Sequence, residues 1–278
     1  MMKKIFLIFT AFLIANPIFA DTIKFVQVSD VHFPQRDYLS YEGRDLSFAI
    51  TNYEKAIKQI NSDKDIQAVF FTGDFTDRSL EEVYLDFFKT TKKLNKNYYL
   101  AFGNHDVNSV NGLNKLDAIS LIKKKTENFK NNGNYTVNLD EKIIAIILDG
   151  ALDTEMSAMG KYSNKTLNWL DEELKMNKDK LIIIFQHFPI VAPEKDKKYI
   201  NSHKTINKWK YSRIIKKYNN ILFIASGHYH VAGDFEKYGT KHFSTPALFQ
   251  TPSFYREFNI DYNKNQINKI ESKLIEIK

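Results

Sequence analysis

Polar residues that can bind metal ions follow five apolar segments of the chain that are predicted to be β-strands. In chain order they are Asp30 and His32; Gly73, Asp74 and Asp77; Gly103, Asn104, His105 and Asp106; Gln186 and His187; and Gly227, His228, Tyr229 and His230. Residues just beyond the carboxyl ends of adjacent strands can converge on one crevice. Because carboxylates, amide oxygens and neutral imidazoles suit Mn, Fe or Zn, these segments together predict a metal centre.

The spacing within two of the segments indicates how ligands could be shared. Asp30 and His32 are two residues apart, as are His228 and His230. On extended backbone, residues two apart face the same side, so each pair could reach one ion. Asp74 has two carboxylate oxygens and could bridge two ions.

Each segment taken alone also has a structural explanation. An Asp after a strand usually caps a turn, and Gly-Asp and Gly-Asn pairs are common turn sequences. A single histidine is more often a structural side chain than a ligand. The ordered occurrence of all five segments is what indicates a metal site.

Asn104 and His105 would diverge on a strand, so one could bind metal while the other faces a substrate.

The apolar segments alternate with helical patterns, which is typical of a domain built from sheets and helices. Strands are predicted at residues 23–28, 68–72, 98–102, 135–139, 143–148, 181–185 and 221–225, and helices at 46–60, 79–94, 113–129, 166–176 and 207–218. Ser79 and Glu82 form a capping-box pattern at the second helix. Residues 135–148 predict a hairpin, and the C-terminal remainder predicts short antiparallel strands. The order of elements predicts an α/β (α+β mixed) fold with mixed sheets.

Composition limits the classes of chemistry that the chain can perform. It has 278 residues, 43% of them hydrophobic and 26% charged, which suffices for one large globular domain. The absence of cysteine excludes disulfides, thiolate metal sites and cysteine nucleophiles. The net charge of +7 comes mostly from scattered lysines, so no nucleic-acid partner is expected.

The N-terminus has the layout of a secretory signal. Two lysines precede an apolar run at residues 5–15, which is followed by Asn16, Pro17 and, before Asp21, the small residue Ala20. We therefore predict a signal peptide at 1–20 and one domain at 21–278, exported to the periplasm or secreted. A helix that spans a bilayer takes about 20 residues, and this apolar run is shorter. The run therefore favours a cleaved signal peptide, without stable membrane insertion, over the alternative of a retained N-terminal anchor.

As a series, the five polar segments resemble the calcineurin-like metallophosphoesterases. The resemblance extends from Ile23 to about His230, nearly the whole mature chain. It implies a four-layer α/β/β/α sandwich of two mixed sheets flanked by helices. It also implies a dinuclear metal site at the carboxyl ends of the strands.

The resemblance assigns a role to each polar residue. One metal ion would be bound by Asp30, His32, Asp74 and His230, and the second by Asp74, Asn104, His187 and His228. His105 matches the family's catalytic histidine, and Asp106 matches the carboxylate that orients it. Asp77 is expected to hold a ligand loop. Arg78 is a candidate phosphate clamp, although a surface arginine at a helix start explains it equally well.

Differences from the motifs of other branches narrow the choice of branch within the family. The tyrosine ligand of purple acid phosphatases is missing, because Phe75, Thr76 and Asp77 occupy that stretch. Asp106 stands where the Ser/Thr phosphatases have Glu. Residues 243–248 are similar to the tail of bacterial cyclic-nucleotide and glycerophosphodiester phosphodiesterases, which favours a diester.

The resemblance implies hydrolysis of a small phosphate mono- or diester by a hydroxide that bridges two metal ions. His105 would then protonate the leaving oxygen. A metal-dependent nuclease of the same superfamily is an alternative, but the chain has few arginines to line a nucleic-acid groove. A non-catalytic binding protein that retains the fold is another, but it would be expected to have lost ligands, and none is missing.

Overall fold

The chain forms strands that enter two β-sheets, with helices between them along the sequence. The computed structural model describes residues 21–41, 43–152, 157–193, 197–263 and 266–278, and the predicted signal peptide lies outside them. The strands are β1 (Asp21–Val28), β2 (Ser40–Tyr41), β3 (Arg44–Asp45), β4 (Ile66–Thr72), β5 (Asn97–Ala101), β6 (Tyr135–Asn138), β7 (Ile143–Leu148), β8 (Gly160–Lys161), β9 (Leu181–Gln186), β10 (Thr205–Ile206), β11 (Ile221–Ser226), β12 (Gly233–Lys237), β13 (Thr240–Ser244), β14 (Phe254–Asn263) and β15 (Gln266–Glu276). The helices are α1 (Ala49–Ser62), α2 (Glu81–Thr91), α3 (Lys115–Lys123), α4 (Asn164–Met176), α5 (Lys197–Ser202) and α6 (Lys208–Ile215).

The first sheet has the strand order β15-β14-β1-β4-β5. β1, β4 and β5 are parallel, whereas β14 and β15 are antiparallel to their neighbours. The apolar residues of β1 and β4 are buried on both faces of the strands, as expected for strands that are covered on both sides. Because the three parallel strands end at one edge, the residues that follow them meet there.

The second sheet has the strand order β12-β13-β11-β9-β7-β6. Its four central strands are parallel, and the outer strands β12 and β6 are antiparallel. His187 follows β9 and His228 follows the neighbouring β11, so both histidines lie at the carboxyl edge of this sheet.

Aromatic side chains fill the space between the two sheets. The rings of Phe70 on β4 and Phe185 on β9 are stacked with their centroids 3.9 Å apart. Phe223 on β11 stacks on Phe258 on β14 at 4.5 Å. Phe25, Phe70, Phe185, Phe223 and Phe258 are at most 1% exposed. Rings of this size bury about 150–250 Å² each, which fixes the sheets against one another.

Helices cover the outer faces of the sheets. On the first sheet, Tyr53 of α1 stacks on Phe87 of α2 at 5.5 Å, and both rings contact Phe71 of β4. On the second sheet, the Tyr211 hydroxyl of α6 donates to the buried Gln186 Oε1 at 2.6 Å. The expected mixed α/β/β/α architecture is therefore confirmed.

Two local predictions are wrong. The hydroxyl of Ser79 does not cap α2 but contacts the carbonyl oxygens of Asp106 and Leu113, at 3.1 and 2.9 Å. Short antiparallel strands were predicted for the C-terminal remainder, and β12 and β13, with five residues each, agree with this. The prediction is wrong for β14 and β15, which have 10 and 11 residues. β14 pairs with β1, a tertiary contact that local composition does not reveal.

Within the described residues, no helix has both the length and the apolar character needed to cross a bilayer.

Candidate metal centre

The residues that follow the strands leave extended geometry at once. Positive φ angles occur at five of the seven predicted ligands: Asp30, His32, Asp74, His228 and His230, with φ of 52°, 46°, 49°, 75° and 57°. Residues other than glycine rarely adopt this region, and such strain tends to cluster at functional sites. The expectation that each pair lies on extended backbone is therefore wrong, since left-handed turns aim these side chains inward.

Four of the predicted ligands form a first cluster. The ligand atoms of Asp30, His32, Asp74 and His230 all lie within 4.8 Å of one another. His230 Nε2 lies 3.2 Å from Asp30 Oδ1 and 3.3 Å from His32 Nε2. This is the set that the resemblance assigns to one metal ion.

A second cluster shares Asp74 with the first. The ligand atoms of Asp74, His187 and His228 also lie within 4.8 Å of one another. Asn104 Oδ1 adjoins them, 3.2 Å from His187 Nε2. Asp74 Oδ2 lies 3.2 Å from His187 Nε2 and 3.7 Å from His32 Nε2, so one carboxylate oxygen faces a histidine of each cluster.

Hydrogen bonds on the outer ring nitrogens fix which histidine nitrogens face inward. His187 Nδ1 lies 2.7 Å from the Thr72 carbonyl oxygen, and His228 Nε2 lies 3.2 Å from the His203 carbonyl oxygen. A carbonyl only accepts, so these nitrogens carry the protons. In the neutral rings, His187 Nε2 and His228 Nδ1 therefore present lone pairs to each other at 3.1 Å.

Two facing lone pairs repel unless a cation lies between them. His32 repeats this arrangement, because its Nδ1 lies 2.9 Å from Asp77 Oδ1 and its Nε2 faces His230 and Asp74. Carboxylates or carbonyls behind metal-binding histidines are the usual second layer of metal sites. The side chains present therefore fit two metal ions, with Asp74 between them.

Electrostatics within the clusters agree with cation binding. Burial lowers the pKa of His32 to about 4 despite its contact with Asp77, which keeps the ring neutral as a ligand must be. Burial also acts to lower the pKa of His187, but the Asp74 and Asp30 carboxylates outweigh it and raise that pKa to about 9. A metal ion bound there would displace this proton.

Two glycines allow the ligand loops to approach closely. A Cβ at Gly103 would lie 2.1 Å from Asp74 Oδ1. A Cβ at Gly227 would lie 1.9 Å from Ser29 Oγ and 2.4 Å from Asp30 Oδ2. Any side chain at these positions would displace a predicted ligand.

His105 lies beside the first cluster. Its ring centroid is 4.7 Å from that of His32, and its Nδ1 donates to the Asp77 carbonyl at 2.8 Å. Its backbone N–H donates to Asp74 Oδ1 at 2.8 Å. With Nδ1 engaged, Nε2 is the nitrogen that can exchange a proton with a substrate.

Asp106 was predicted to orient the His105 ring, but it makes no hydrogen bond with that ring. The backbone carbonyl of Asp77 holds the His105 ring instead. The Asp106 carboxylate instead accepts backbone N–H groups from Asp74, Thr76 and Gly103 at 2.8–3.0 Å. It therefore joins the loop that carries Asp74 to the loop that carries Asn104. Adjacent residues diverge, so Asp106 points into the protein while His105 points to the site.

Two arginines have side-chain partners in this region. Arg78, for which a phosphate clamp and a surface arginine were equally good explanations, donates to Gln35 Oε1 at 2.6 Å and lies 5.5 Å from the ring centroid of Tyr38. Arg44, which we did not predict, donates through Nε to Asp77 Oδ1 at 3.2 Å. Arg44 lies on the two-residue strand β3, a feature without a recognisable sequence signal.

Two other contacting residues were also missed by sequence reasoning. His203 follows a short helix rather than a strand, yet its carbonyl accepts from His228, and its ring centroid lies 5.4 Å from that of His228. Phe249 packs against the rings of His32 and His230 at 5.0 and 5.3 Å. Loop residues distant in sequence carry no periodic pattern that would have identified them.

Comparisons with known proteins agree with this geometry. The family model for calcineurin-like phosphoesterase matches residues 23–232. A probable glycerophosphodiester phosphodiesterase of Arcobacter nitrofigilis is 30% identical over 209 residues, covering 74% of this chain and 71% of the relative. A 3',5'-cyclic adenosine monophosphate phosphodiesterase of Haemophilus influenzae is 24% identical over 229 residues, covering 81% and 76%. A dimetal phosphatase from Danio rerio shares the fold, with a TM-score of 0.67 at 14% identity over 95% of this chain and 100% of that one.

Proposed function

Because the chain belongs to the calcineurin-like phosphoesterase family and is a metal-dependent phosphoric ester hydrolase, we propose that it hydrolyses phosphodiesters at a centre of two metal ions. The observation that carries this proposal is the position of Asp74 between two clusters of nitrogen and oxygen ligands. The first ion would be held by Asp30, His32, Asp74 and His230, and the second by Asp74, Asn104, His187 and His228. Mn, Fe or Zn would suit these ligands.

Residues of the chain would position the metal-binding histidines and donate a proton to the leaving group. Two bound ions would supply Lewis-acid stabilisation of the phosphoryl group and activation of water. The Asp77 carboxylate and the Thr72 carbonyl hold the rings of His32 and His187 in place. His105 in its protonated form would donate a proton from Nε2 to the leaving oxygen, while its Nδ1 remains bonded to the Asp77 carbonyl.

Preference for diesters is supported by two relatives whose names describe phosphodiester substrates, a glycerophosphodiester and cyclic adenosine monophosphate. The similarity of residues 243–248 to the tail of that branch supports the same preference. We further propose that the protein acts outside the cytoplasm, on the evidence of its N-terminal layout.

Hydrolysis of bis-p-nitrophenyl phosphate and of p-nitrophenyl phosphate tests the proposal. The protein is first freed of metal and then given Mn²⁺. We expect activity to depend on Mn²⁺ and kcat/KM to be higher for the diester. Asp171→Asn, which alters a surface carboxylate of α4, serves as a control for Asp74→Asn. A preference for the monoester would overturn the diester assignment, and full activity in chelator would overturn the metal mechanism.

A further inference from the structure

A large cavity lies at the carboxyl end of β7, and β7 is the sheet neighbour of β9, the strand that precedes the predicted ligand His187. It has a volume of about 990 Å³, and the described residues that line it come mainly from α3, the start of α4 and the segments before β6 and after β7. Asp149 directly follows β7, and His187 directly follows β9. Since Leu148 pairs with Gln186 in parallel register, Asp149 and His187 lie on adjacent strand ends, and neighbouring strands are about 4.8 Å apart.

A buried ion pair forms one wall of the cavity. Lys115 Nζ lies 2.8 Å from Asp149 Oδ2 and 2.6 Å from the Ala151 carbonyl oxygen, and the two charged side chains are only 11% and 7% exposed. Lys115 Nζ also lies 6.0 Å from the ring centroid of Phe102, two residues before the ligand Asn104. Apolar residues in place of a buried ion pair are often equally or more stable, so folding stability alone does not account for the pair.

The rest of the lining would suit a hydroxyl-bearing ligand that is neutral or anionic. Asn132, Asn134, Lys161, Lys165 and Trp169 are among the residues that line the cavity, and both of these lysines are exposed. Among the described lining residues, three lysines accompany one carboxylate. Amides and lysines hydrogen-bond to hydroxyl groups, and an indole face packs on the apolar face of a polyol. A quaternary ammonium group is positively charged, so the lysines would repel it.

We infer that this cavity binds the alcohol portion of the phosphodiester and selects polyol or anionic headgroups over cationic ones. This inference rests on the proposed phosphodiesterase function and adds the substrate class to it. The phosphate would lie at the clusters that share Asp74, and one ester substituent would extend past the end of β7 into the cavity.

Headgroup selection can be measured with two glycerophosphodiesters that both have primary alkoxide leaving groups. We expect the wild-type kcat/KM for glycerophosphoglycerol to exceed that for glycerophosphocholine. The double substitution Lys161→Glu and Lys165→Glu should lower this ratio by about five- to tenfold through opposite changes in KM. The metal content and the thermal unfolding midpoint of the double variant should match those of the wild type, which would show that the fold and the metal centre are intact.

A matched control separates local from overall charge effects. Lys89→Glu with Lys92→Glu changes the net charge equally but alters exposed lysines at the end of α2, on the helix layer of the other sheet. This control should leave the headgroup ratio unchanged. If the cavity variant also leaves the ratio unchanged while the diester is still hydrolysed, the cavity is not the headgroup site and the proposed function stands.

A direct binding measurement tests the cavity in the case where the proposed function itself fails. If the wild type hydrolyses no phosphodiester, the proposed function fails, and the cavity is tested alone by fluorescence. The chain has two tryptophans, so Trp209→Phe leaves Trp169 as the only indole. A saturable change in its emission with millimolar glycerol 3-phosphate, and none with phosphocholine, would support the cavity as a polyol site. An unchanged emission with both would overturn it.

Discussion

Asp74 occupies the central position among the side chains of the site. One of its oxygens faces histidines of both clusters, and the other accepts the backbone N–H of His105. Burial opposes its ionisation, but the surrounding histidines outweigh burial and hold the pKa of Asp74 well below its usual range. Asp74 therefore carries its negative charge throughout the range in which the enzyme would work.

Asp74→Ala should abolish binding of both metal ions, because no other residue belongs to both clusters. Elemental analysis of the purified variant measures this. The control is Asp171→Ala, in which a partly exposed carboxylate is lost from α4. One full metal equivalent retained in Asp74→Ala would contradict the shared role.

His105→Ala should retain both metal ions and lose about 10²–10⁴-fold in turnover of an ester with a poor leaving group. The loss should be smaller for bis-p-nitrophenyl phosphate, because nitrophenolate leaves without protonation. Turnover of that ester and of glycerophosphoglycerol, together with metal content, tests the role. An equal defect on both esters accompanied by missing metal would show that His105 supports the loop instead.

The sequence predicted which residues gather at the site but not how the residues around them are connected. Asp30, His32, Asp74, His187, His228 and His230 were identified by type and by position after strands. The contacts of Asp106 with three backbone N–H groups and of Arg44 with Asp77 depend on loop conformations. No local sequence pattern encodes such conformations, because distant parts of the chain impose them.

At the level of elements, strands and their ends were predicted more accurately than helices. β7 is apolar throughout and β9 is apolar up to its last residue, Gln186, so the limits of both strands can be recognised in the sequence. The third helix was predicted at 113–129 but spans Lys115–Lys123, since Asn114 caps it and its apolar pattern fades after Ile122. The length of β14 was not predicted, because it pairs with β1 at the other end of the chain.

Gly103→Ala tests whether loop spacing controls metal binding. The new Cβ would lie 2.1 Å from Asp74 Oδ1 and 2.3 Å from the Asp74 backbone nitrogen, so Asp74 must move. We expect weakened binding of both metals, measured by competition with a chelator. Gly239→Ala is the control: nothing lies within 4 Å of its new Cβ, and its φ of 78° adds a backbone strain that Gly103→Ala does not have, so the control isolates the contact with Asp74. Equal metal affinity in the two variants would refute the spacing argument.

At the scale of the whole molecule, the sandwich places two sheet edges together. The predicted ligands Asp30, Asp74 and Asn104 follow strands of the first sheet, and His187 and His228 follow strands of the second. Neither sheet supplies a complete set of these side chains, so the stacked phenylalanines between the sheets also set the geometry of the two clusters. Core packing would therefore be coupled to metal binding at the proposed centre.

The mature protein should begin at Asp21 and reach the periplasm or the medium. Loss of residues 1–20 removes Lys3 and Lys4, so the net charge changes from +7 to 7 − 2 = +5. The intact mass of protein purified from its native host measures this. A mass that includes the first residues would refute cleavage, and a control with Ala20 replaced by a bulky residue should retain the leader.

The left-handed backbone at five of the ligands restricts which residues can replace them. Apart from glycine, Asn, Asp and His enter this region several times more often than other residues. Glu, Cys and β-branched residues at Asp30, His32, Asp74, His228 or His230 would have to overcome backbone strain as well as supply a new ligand atom. Substitutions meant to change the metal preference of this centre should therefore use Asp, Asn or His at these positions. Among variants of these five residues, those limited to Asp, Asn and His should include most of the ones that fold.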